Sequence, residues 1–508
     1  VGLMLGNFMA TRNVQLNNPG FFNELFRGGF SDSKTDEILE LINDKYVDSV
    51  DVNQFREEIA TELLSKLDPH SVYIPATERE QLDDELEGSF SGIGVQFNIQ
   101  NDTVMIVAVI SGGPSEKVGL LAGDRIIQVD DSAFTGKTIT NEKVMKKLKG
   151  KENTKVKLGV KRFGTKKMLT YTITRGSIPV NSVDISYMVN KEVGLIKVNK
   201  FAAETYSEFL NGIGELKAKG AKKFIIDLRE NSGGFMEQCI LMVNEFLPNK
   251  QLIVYAEGKS YPRFNSHADG TGSCINEPVV VLIDEFSASA SEIFFFFMQD
   301  NDRGTIIGRR SFGKGLVQQQ FDLKDGSAVR LTVAKYFTPS GRCIQKPYEK
   351  GKGEDYAMDI YNRFMHGEFD HADSINKTDT VKYKTLNGRT VYAGGGIMPD
   401  IFVARDTTNF TPYFNEVSNY MYMFQYAFQF TDKHRNELKE YKDWKKLSAY
   451  LDSKPLLNEF VAYASAKGVK PVKKDIQISG RLMTNRIKSY IIRNMLKDEG
   501  FYPFLYQD

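Results

Sequence analysis

Hydrophobic and polar positions recur with different periods along the 508 residues, and these periods divide the chain into regions. Residues 1–33 are rich in Asn, Gly and Phe without clear periodicity, which predicts a loosely held N-terminal arm. Residues 34–87 carry apolar positions at helical spacing, as in DEILELINDKYV, and are predicted to form an N-terminal helical region. We expect a second helix over about residues 52–67, ended by Pro69, and a third, acidic helix near ATEREQLDDELEG.

Residues 88–178 change to short β-like runs separated by turns, which predicts a small β-rich domain. The predicted strands are GVQFNI, TVMIVAVI, RIIQVD, VKLGVKR and KMLTYTITR, and two short helical segments, SEKVGL and NEKVMKKLKG, interrupt them.

Residues 179–405 alternate continuous apolar runs with longer helical segments, which predicts an α/β core with a mostly parallel sheet covered on both faces. The predicted strands are VGLIKVN, KKFIIDLREN, QLIVYAEG, PVVVLIDE and TIIGRR, and the helices include FMEQCILMVNEFL and SEIFFFFMQDN. GLVQQQFDL and SAVRLTVAKYF, joined by KDG, are predicted to add an antiparallel hairpin to this sheet. Residues 346–390 are charged and irregular, as in a surface excursion, and residues 406–508 are predicted to be helical.

Composition narrows the classes of function. Lys plus Arg is 66 and Asp plus Glu is 65, so the net charge of +1 gives no reason to expect nucleic acid as a partner. Three unpaired cysteines and scattered histidines form no disulfide framework and no metal-ligand spacing, so we expect neither a metal nor a cofactor. The sequence contains no run of 18 apolar residues, so we expect no transmembrane span. The opening VGLMLGNFMATRN is either the remnant of a trimmed signal or anchor, or an end without meaning.

The stretch DEFSASASEIF places Ser287, Ser289 and Ser291 where an apolar strand runs into an apolar helix. Such a junction exposes a side chain at the carboxyl edge of a sheet and aims backbone N–H groups at whatever binds there, which suits a nucleophile. The alternative is that Ser287 caps the helix and the other serines are small packing residues.

A nucleophilic serine needs a base, and the predicted strand ends of the α/β region carry no histidine apart from His267 in a polar loop. Lys314 lies between two glycines at the start of a strand, and Gln318, four residues on, shares its face and is placed to orient the amine. Burial among apolar groups, for which the run Phe294–Phe297 is a source, lowers the pKa of a lysine toward neutrality. The alternative is that Lys314 is a solvated loop lysine.

Two glycine-containing turns are candidates for binding negative charge. DLRENSGGF follows a strand, so an amide of Gly233 or Gly234 is a candidate oxyanion donor together with the amide of Ala290. The run Gly92-Ile93-Gly94-Val95 opens a strand, and its amides are candidates for holding a terminal carboxylate while the strand edge pairs with a peptide. For each stretch the alternative is an ordinary tight turn.

The order of these elements resembles that of the C-terminal processing peptidases, the tail-specific serine proteases. SASASEI followed by DNDRGTIIGRRSFGKGLVQ is similar to their nucleophile-and-lysine block, which implies Ser289 as nucleophile, Lys314 as base 25 positions on, and Gln318 as the assisting glutamine. The resemblance covers roughly residues 35–405. It extends to the oxyanion turn DLRENSGG, the linker LDPHSVYIP, the closing motif GGGIMPDI and the PDZ-like GSFSGIGVQFNI with AGDRII. This chain differs in the Phe294–Phe297 run, which raises a question about helix packing or pocket size, and in Ser232, where proline is common.

The resemblance implies a crotonase-like peptidase core at residues 179–405, a PDZ domain at 88–178, and a serine endopeptidase that binds free C-terminal tails. It also implies the cell envelope, most simply the periplasm, with membrane anchoring before processing; association into homo-oligomers is left open. Two other hypotheses remain at this point. One is a PDZ-bearing scaffold with an inactive peptidase fold, and the other is an acyl-thioester enzyme on the same fold.

Overall fold

The structure, a computed structural model, describes residues 34–79, 88–100, 102–375 and 381–507. The chain divides into two compact units. The first takes the described residues of 1–83, 229–276 and 281–402, and the second takes those of 84–228, 277–280 and 403–508.

The helices of the described residues are, in chain order, α1 (Lys34–Lys45), α2 (Val52–Ser65), α3 (Pro114–Lys117), α4 (Asn141–Leu148), α5 (Thr205–Ala218), α6 (Met236–Asn244), α7 (Ala290–Asp300), α8 (Gly353–Ala357), α9 (Asp359–Met365), α10 (Pro412–Asn419), α11 (Tyr422–Leu438), α12 (Trp444–Asp452), α13 (Leu456–Ala466) and α14 (Lys473–Leu505). None of these helices is both long enough and apolar enough to cross a membrane.

The strands are β1 (Val72–Ile74), β2 (Ser89–Gly92), β3 (Val95–Gln100), β4 (Thr103–Val109), β5 (Arg125–Val129), β6 (Ser132–Ala133), β7 (Lys155–Lys161), β8 (Leu169–Thr174), β9 (Gly176–Pro179), β10 (Val183–Met188), β11 (Val193–Val198), β12 (Lys223–Asp227), β13 (Leu252–Glu257), β14 (Phe264–His267), β15 (Val279–Ile283), β16 (Thr305–Gly308), β17 (Leu316–Asp322), β18 (Ala328–Phe337), β19 (Lys382–Lys384), β20 (Thr390–Tyr392) and β21 (Ile401–Phe402).

The first unit contains the end of β15 together with β16 and β21, and it also contains a separate antiparallel sheet. Strand β16 pairs in parallel with β21. The antiparallel sheet has the order β1-β18-β13-β14, with β17 also paired to β18. The hairpin of β17 and β18 forms as predicted. However, the hairpin and β13, which is the run QLIVYAEG, belong to this antiparallel sheet, whereas the sequence pattern placed them in the parallel sheet. A run of apolar residues shows that a strand is buried, but it does not show which neighbour the strand pairs with.

Helix α7 forms the centre of the first unit. Its sequence ASEIFFFFMQD has no polar stripe, and every one of its residues is buried, as expected of a helix packed on all sides. The ring of Phe294 meets Phe246 edge-on at 6.0 Å, and the ring of Phe296 lies 6.0 Å from that of Tyr336. The phenylalanine run, which raised a question about packing, is therefore core.

The charged stretch of residues 346–390 is more ordered than the sequence pattern indicated. It contains α8 and α9 and the antiparallel pair β19–β20, with residues 376–380 outside the described part. Arg363 of α9 is buried and donates to the backbone carbonyls of Arg310 and Ser311, at 2.6 and 3.1 Å. Polar side chains thus hold this segment against the loop that leads to Lys314. Most of the predicted acidic helix, residues 80–87, lies outside the described residues.

The second unit contains the small β domain, whose sheet has the order β3-β4-β5-β7-β8. All five predicted strands and both predicted helical segments form there, around a core that includes Val104, Ile126 and Leu158. The C-terminal helices α10 to α14 enclose a core of their own, with Phe460, Met483 and Ile487 fully buried. Strand β11 pairs antiparallel with β10 and parallel with β12.

Candidate active site

The three serines of the junction between β15 and α7 have different surroundings. Ser287 is fully buried, and its Oγ accepts a hydrogen bond from the amide of Asp284 at 3.0 Å. Ser291 is also fully buried, and its Oγ donates to the carbonyl oxygen of Asn231 at 2.8 Å. Ser289 is only partly buried. Of the three, the predicted nucleophile is the one that solvent and a substrate are able to reach.

The backbone of Ser289 has φ 57° and ψ −117°, a conformation that residues other than glycine rarely adopt. Such a conformation costs on the order of 1–3 kcal/mol and persists only where the surroundings enforce it. The amide of Ser289 donates to Oε2 of Glu292 at 3.0 Å. Gly233 packs so closely that a Cβ there would lie 2.7 Å from the Cβ of Ser289. The capping box that Ser289 forms with Glu292 and the close approach of Gly233 hold this turn in place.

Lys314 lies in a loop that packs backbone against backbone. Gly313 has φ 92°, and a Cβ on it would lie 2.8 Å from the amide nitrogen of Gly396, while a Cβ on Gly315 would lie 2.9 Å from that of Gln345. The Nζ of Lys314 donates to Oε1 of Gln318 at 2.9 Å. Lys314 and Gln318 are therefore paired as the sequence spacing suggested, and Ser289 is not hydrogen-bonded to Lys314 in this state.

Burial lowers the pKa of Lys314 from 10.5 to about 8. The positive charge of Arg330 contributes to this shift, and the negative charges of Glu292 and Asp68 oppose it. A lysine with this pKa is deprotonated in part at neutral pH, as a general base must be.

Glu292 connects the serine turn to the lysine loop, and sequence reasoning did not identify this residue. Its fully buried carboxylate accepts four hydrogen bonds. The donors are the amides of Ser289, Gly313 and Lys314, at 3.0, 2.8 and 2.7 Å, and Oγ of Ser311 at 2.6 Å. Burial raises the pKa of Glu292 to about 7, and the bonds it accepts oppose this. The spacing Ser289-x-x-Glu292, which is that of a capping box, was the available signal.

Tyr336 makes a second connection between the same two elements. Its buried hydroxyl donates to the carbonyl oxygen of Lys314 and lies 3.2 Å from that of Ser289. Burial raises the pKa of this hydroxyl, so it stays protonated and keeps its role as a donor. The separation of the serine and lysine backbones is thus set from two sides, by Glu292 and by Tyr336.

The turn at residues 231–234 lies against the serine turn. The amide of Ala288 and Oγ of Ser291 both donate to the carbonyl oxygen of Asn231, at 3.0 and 2.8 Å. The amide of Gly233 donates to Oδ1 of Asn231 at 2.9 Å. The amides of Gly234 and Ala290 have no acceptor among the described residues. Of the predicted oxyanion donors, these two amides are available to a ligand in this state, while that of Gly233 is engaged.

His70 is the other residue that sequence reasoning missed, because it lies in the linker LDPHSVYIP and not at a strand end. Its carbonyl oxygen accepts a hydrogen bond from Nε2 of Gln318. Its Nε2 lies 2.9 Å from the hydroxyl of Tyr356. Burial and the charge of Lys314 lower the pKa of His70 to about 4, so the ring is neutral near pH 7. His70 lies 248 positions before Gln318 in the chain, so only the folded structure brings the two residues together.

The predicted peptide-binding loop, Gly92 to Val95, joins β2 to β3 in the second unit. Gly94 has φ 77°, and Ile93 is buried. The carbonyl oxygens of Ile93 and Gly94 accept bonds from the amides of Ser115 and Ile110, at 2.9 and 3.0 Å, while the amides of Ile93 and Gly94 have no acceptor among the described residues. Strand β3 is at one end of its sheet order, so its outer edge is unpaired within that sheet.

No group of three or more metal-ligating side chains occurs in the described ranges. The site consists of a serine at a strained turn, a partly buried lysine with a lowered pKa, and unpaired amides beside the serine. Such a set is suited to acyl transfer through a covalent intermediate.

Comparison with known proteins finds family models that match separate parts of the chain. The family model described as Peptidase family S41 matches residues 192–357, and that of the PDZ domain matches residues 91–173. Residues 413–497 match a model described as a family of unknown function.

Similar relatives include the carboxy-terminal-processing protease of Bartonella bacilliformis, which is 36% identical over 342 residues that cover 66% of this chain and 76% of the relative. The carboxy-terminal processing protease CtpA of Bacillus subtilis is 35% identical over 334 residues, which cover 64% of this chain and 71% of the relative. Among solved structures, the photosystem II D1 C-terminal processing protease is 23% identical, with a TM-score of 0.37, and the match covers 73% of this chain and 92% of that one.

The fold is that of an α/β peptidase core combined with a PDZ domain and helical terminal regions. The chain belongs to the C-terminal processing proteases of peptidase family S41.

Proposed function

We propose that this protein is a serine endopeptidase that binds protein C-terminal tails through its PDZ domain and cleaves them with Ser289 and Lys314. The observation that carries the proposal is the pairing of a partly exposed serine at a strained turn with a lysine whose pKa is lowered to about 8. Glu292 accepts the amides of both residues, so the two are held as one unit.

In the proposed reaction, neutral Lys314 takes the proton of the Ser289 hydroxyl as the oxygen attacks the carbonyl carbon of the scissile peptide. The negative charge that develops on the carbonyl oxygen is met by the amides of Ala290 and Gly234, which are otherwise unpaired. Protonated Lys314 then donates to the leaving amine, and water hydrolyses the acyl-enzyme with Lys314 again as base. Gln318 holds the amine through its Oε1 without accepting the proton.

Ser289 and Lys314 are not hydrogen-bonded in this state, and the proposed mechanism requires that the bond form when substrate is present. Catalytic hydrogen bonds are often long in ligand-free enzymes and tighten in the complex. The backbones of both residues are already fixed by Glu292 and Tyr336, so we propose that the bond forms through movement of the two side chains.

For tail capture, we propose that the free amides of Ile93 and Gly94 hold the terminal carboxylate and that the tail pairs with the edge of β3. This is β-strand addition, in which backbone hydrogen bonds supply affinity and side-chain pockets supply selectivity. The substrates are then proteins or peptides with free C-termini. From the resemblance to the C-terminal processing peptidases we propose that the enzyme acts in the cell envelope, facing the periplasm. Fractionation of the host cell tests this, and a purely cytosolic distribution would contradict it.

The experiment for the proposed function is cleavage of an intrinsically disordered protein with a free C-terminus. The wild type should cleave it and Ser289→Ala should not, although circular dichroism should show the same fold for both. Ser260→Ala, which alters an exposed serine of the same unit, is the matched control and should cleave normally. Binding without cleavage by the wild type would instead favour a PDZ-bearing scaffold, and hydrolysis of an acyl-thioester without proteolysis would favour an acyl-thioester enzyme.

A further inference from the structure

A chain of hydrogen bonds leads from Lys314 to the turn at residues 68–71 and on to α8. Nζ of Lys314 donates to Oε1 of Gln318 at 2.9 Å, and Nε2 of Gln318 donates to the carbonyl oxygen of His70. The imidazole of His70 then meets the hydroxyl of Tyr356 at 2.9 Å. We propose that His70 and Tyr356 are positioning residues for the lysine base and act through Gln318. This inference rests on the proposed function.

The turn that presents the His70 carbonyl is fixed by Asp68. The carboxylate accepts the amides of His70 and Ser71, at 2.9 and 3.0 Å, and Oγ of Ser71 at 2.6 Å. Thr332 of β18 donates its hydroxyl to Asp68 at 3.0 Å and its amide to Oγ of Ser71 at 3.1 Å. Thr332 is also the partner of Gln318 in the pairing of β17 with β18. The carbonyl of His70 is thus anchored to the strand that faces Gln318.

The position of this carbonyl decides the orientation of the Gln318 amide. A carbonyl oxygen accepts hydrogen bonds and does not donate, so the amide nitrogen of Gln318 must face His70. Oε1 must then face Lys314 and accept from its Nζ. With one N–H of the amine held in this way, the lone pair of a neutral Lys314 remains free for the proton of Ser289.

Tyr356 holds the other side of His70. Nε2 of Gln345 lies 3.3 Å from the Tyr356 hydroxyl and is a donor only, so the tyrosine accepts from Gln345 and donates its own hydrogen to Nε2 of His70. Gln345 in turn accepts the amide of Gly315, next to Lys314, at 2.8 Å. The two rings meet edge-on, with centroids 5.1 Å apart.

The charged groups that face His70 keep its ring neutral, which the proposed donor arrangement requires. Lys314 and Lys346 lower its pKa, Asp68 raises it, and burial is the largest influence. Lys346 is itself held nearby, with its Nζ 3.9 Å from the centroid of the Tyr356 ring and 3.0 Å from Oδ2 of Asp359. The Tyr356 hydroxyl stays protonated, because burial raises its pKa.

The test is a double-mutant cycle on kcat with Tyr356→Phe and Gln318→Ala. Tyr356→Phe removes one hydroxyl and should lower kcat on the order of tenfold, the loss of one well-placed hydrogen bond, with KM unchanged. Because Tyr356 acts through Gln318, the same change in a Gln318→Ala background should have no further effect on kcat. Tyr348→Phe is the matched control, since its ring packs against Tyr356 in the same segment, and it should leave kcat unchanged.

A second readout does not depend on activity. The hydroxyl of Tyr356 stabilises the neutral ring of His70, so Tyr356→Phe should raise the pKa of His70 above its value of about 4, measured by NMR titration of the imidazole C–H signals. The imidazole signal that disappears in His70→Asn is assigned to His70. Additive effects on kcat in the double mutant, or a His70 pKa that does not move, would overturn the inference. A fully active Ser289→Ala variant would overturn the proposed function instead, so the two failures are distinguishable.

Discussion

The pH dependence of cleavage should report the pKa of Lys314, because only the neutral amine accepts a proton. With a pKa of about 8, about a tenth of the enzyme carries neutral Lys314 at pH 7 and about nine-tenths at pH 9. The value of kcat/KM should therefore rise about tenfold between these pH values and then level off. With the ordinary pKa of 10.5, only about 0.03% would be neutral at pH 7.

The shift from 10.5 to about 8 corresponds to about 3 kcal/mol. In the folded state Lys314 binds fewer protons between pH 8 and 10.5 than it does in the unfolded state. The free energy of unfolding should therefore rise with pH across this window, and at lower pH the buried ammonium costs stability. Lys314→Met removes that charge and should raise the melting temperature at pH 7 while it abolishes cleavage.

The assay is cleavage of a fluorogenic peptide with a free C-terminus, measured from pH 6 to pH 10 at constant ionic strength. Lys314→Arg keeps the charge but does not act as a base, because guanidinium stays protonated, so it should lose several orders of magnitude in rate. Gln318→Ala should lose less. The reasoning is refuted if kcat/KM is level from pH 7 to pH 9, or if Lys314→Arg cleaves normally while His70→Asn abolishes activity, since the proton acceptor would then be a different residue.

Further predictions concern the serine turn, the buried carboxylate and the PDZ domain. Ser287→Ala and Ser291→Ala should keep substantial activity, unlike Ser289→Ala. Each should lower stability by about 1 kcal/mol for every buried hydrogen bond that is lost, measured by denaturant unfolding. Oγ of Ser287 makes two such bonds with Asp284, and Oγ of Ser291 makes one with Asn231. Glu292→Gln removes a negative charge that raises the pKa of Lys314, so the rising limb of the pH–rate profile should shift to lower pH; an unchanged limb would contradict this. The folded state of the wild type binds an extra proton at Glu292 between pH 4.5 and about 7, so its free energy of unfolding relative to Glu292→Gln should fall by about 3 kcal/mol as pH rises through that window. Amidation of the C-terminus of a bound peptide should weaken PDZ binding by roughly 1–3 kcal/mol in a calorimetric titration, and equal affinity of the acid and amide forms would rule out carboxylate capture.

Local pattern was enough to predict most of the elements that carry the site. Period-two runs bounded by turns predicted the strands of the β domain, and a strand-to-helix junction rich in serine predicted the turn at Ser289. The spacing of four between Lys314 and Gln318 predicted that the two side chains meet. Their hydrogen bond forms, although Lys314 lies in the loop before β17. Information of this kind lies within a few residues along the chain, where backbone geometry alone relates one side chain to the next.

Tertiary packing decided the rest. Ser287 and Ser291 are buried and hydrogen-bonded to Asp284 and Asn231, whereas Ser289 is partly exposed. The local sequence pattern does not distinguish the three serines. The role of Glu292 requires the lysine loop to close over α7, and that of His70 requires a turn from the N-terminal region to pack on β18. The hairpin joined a second sheet because β18 pairs with β1 and β13. Hydrophobic periodicity predicts that a face is buried but does not identify the element that covers it. The lowered pKa that makes Lys314 a base arises only when the fold brings together groups that are distant in sequence and excludes water.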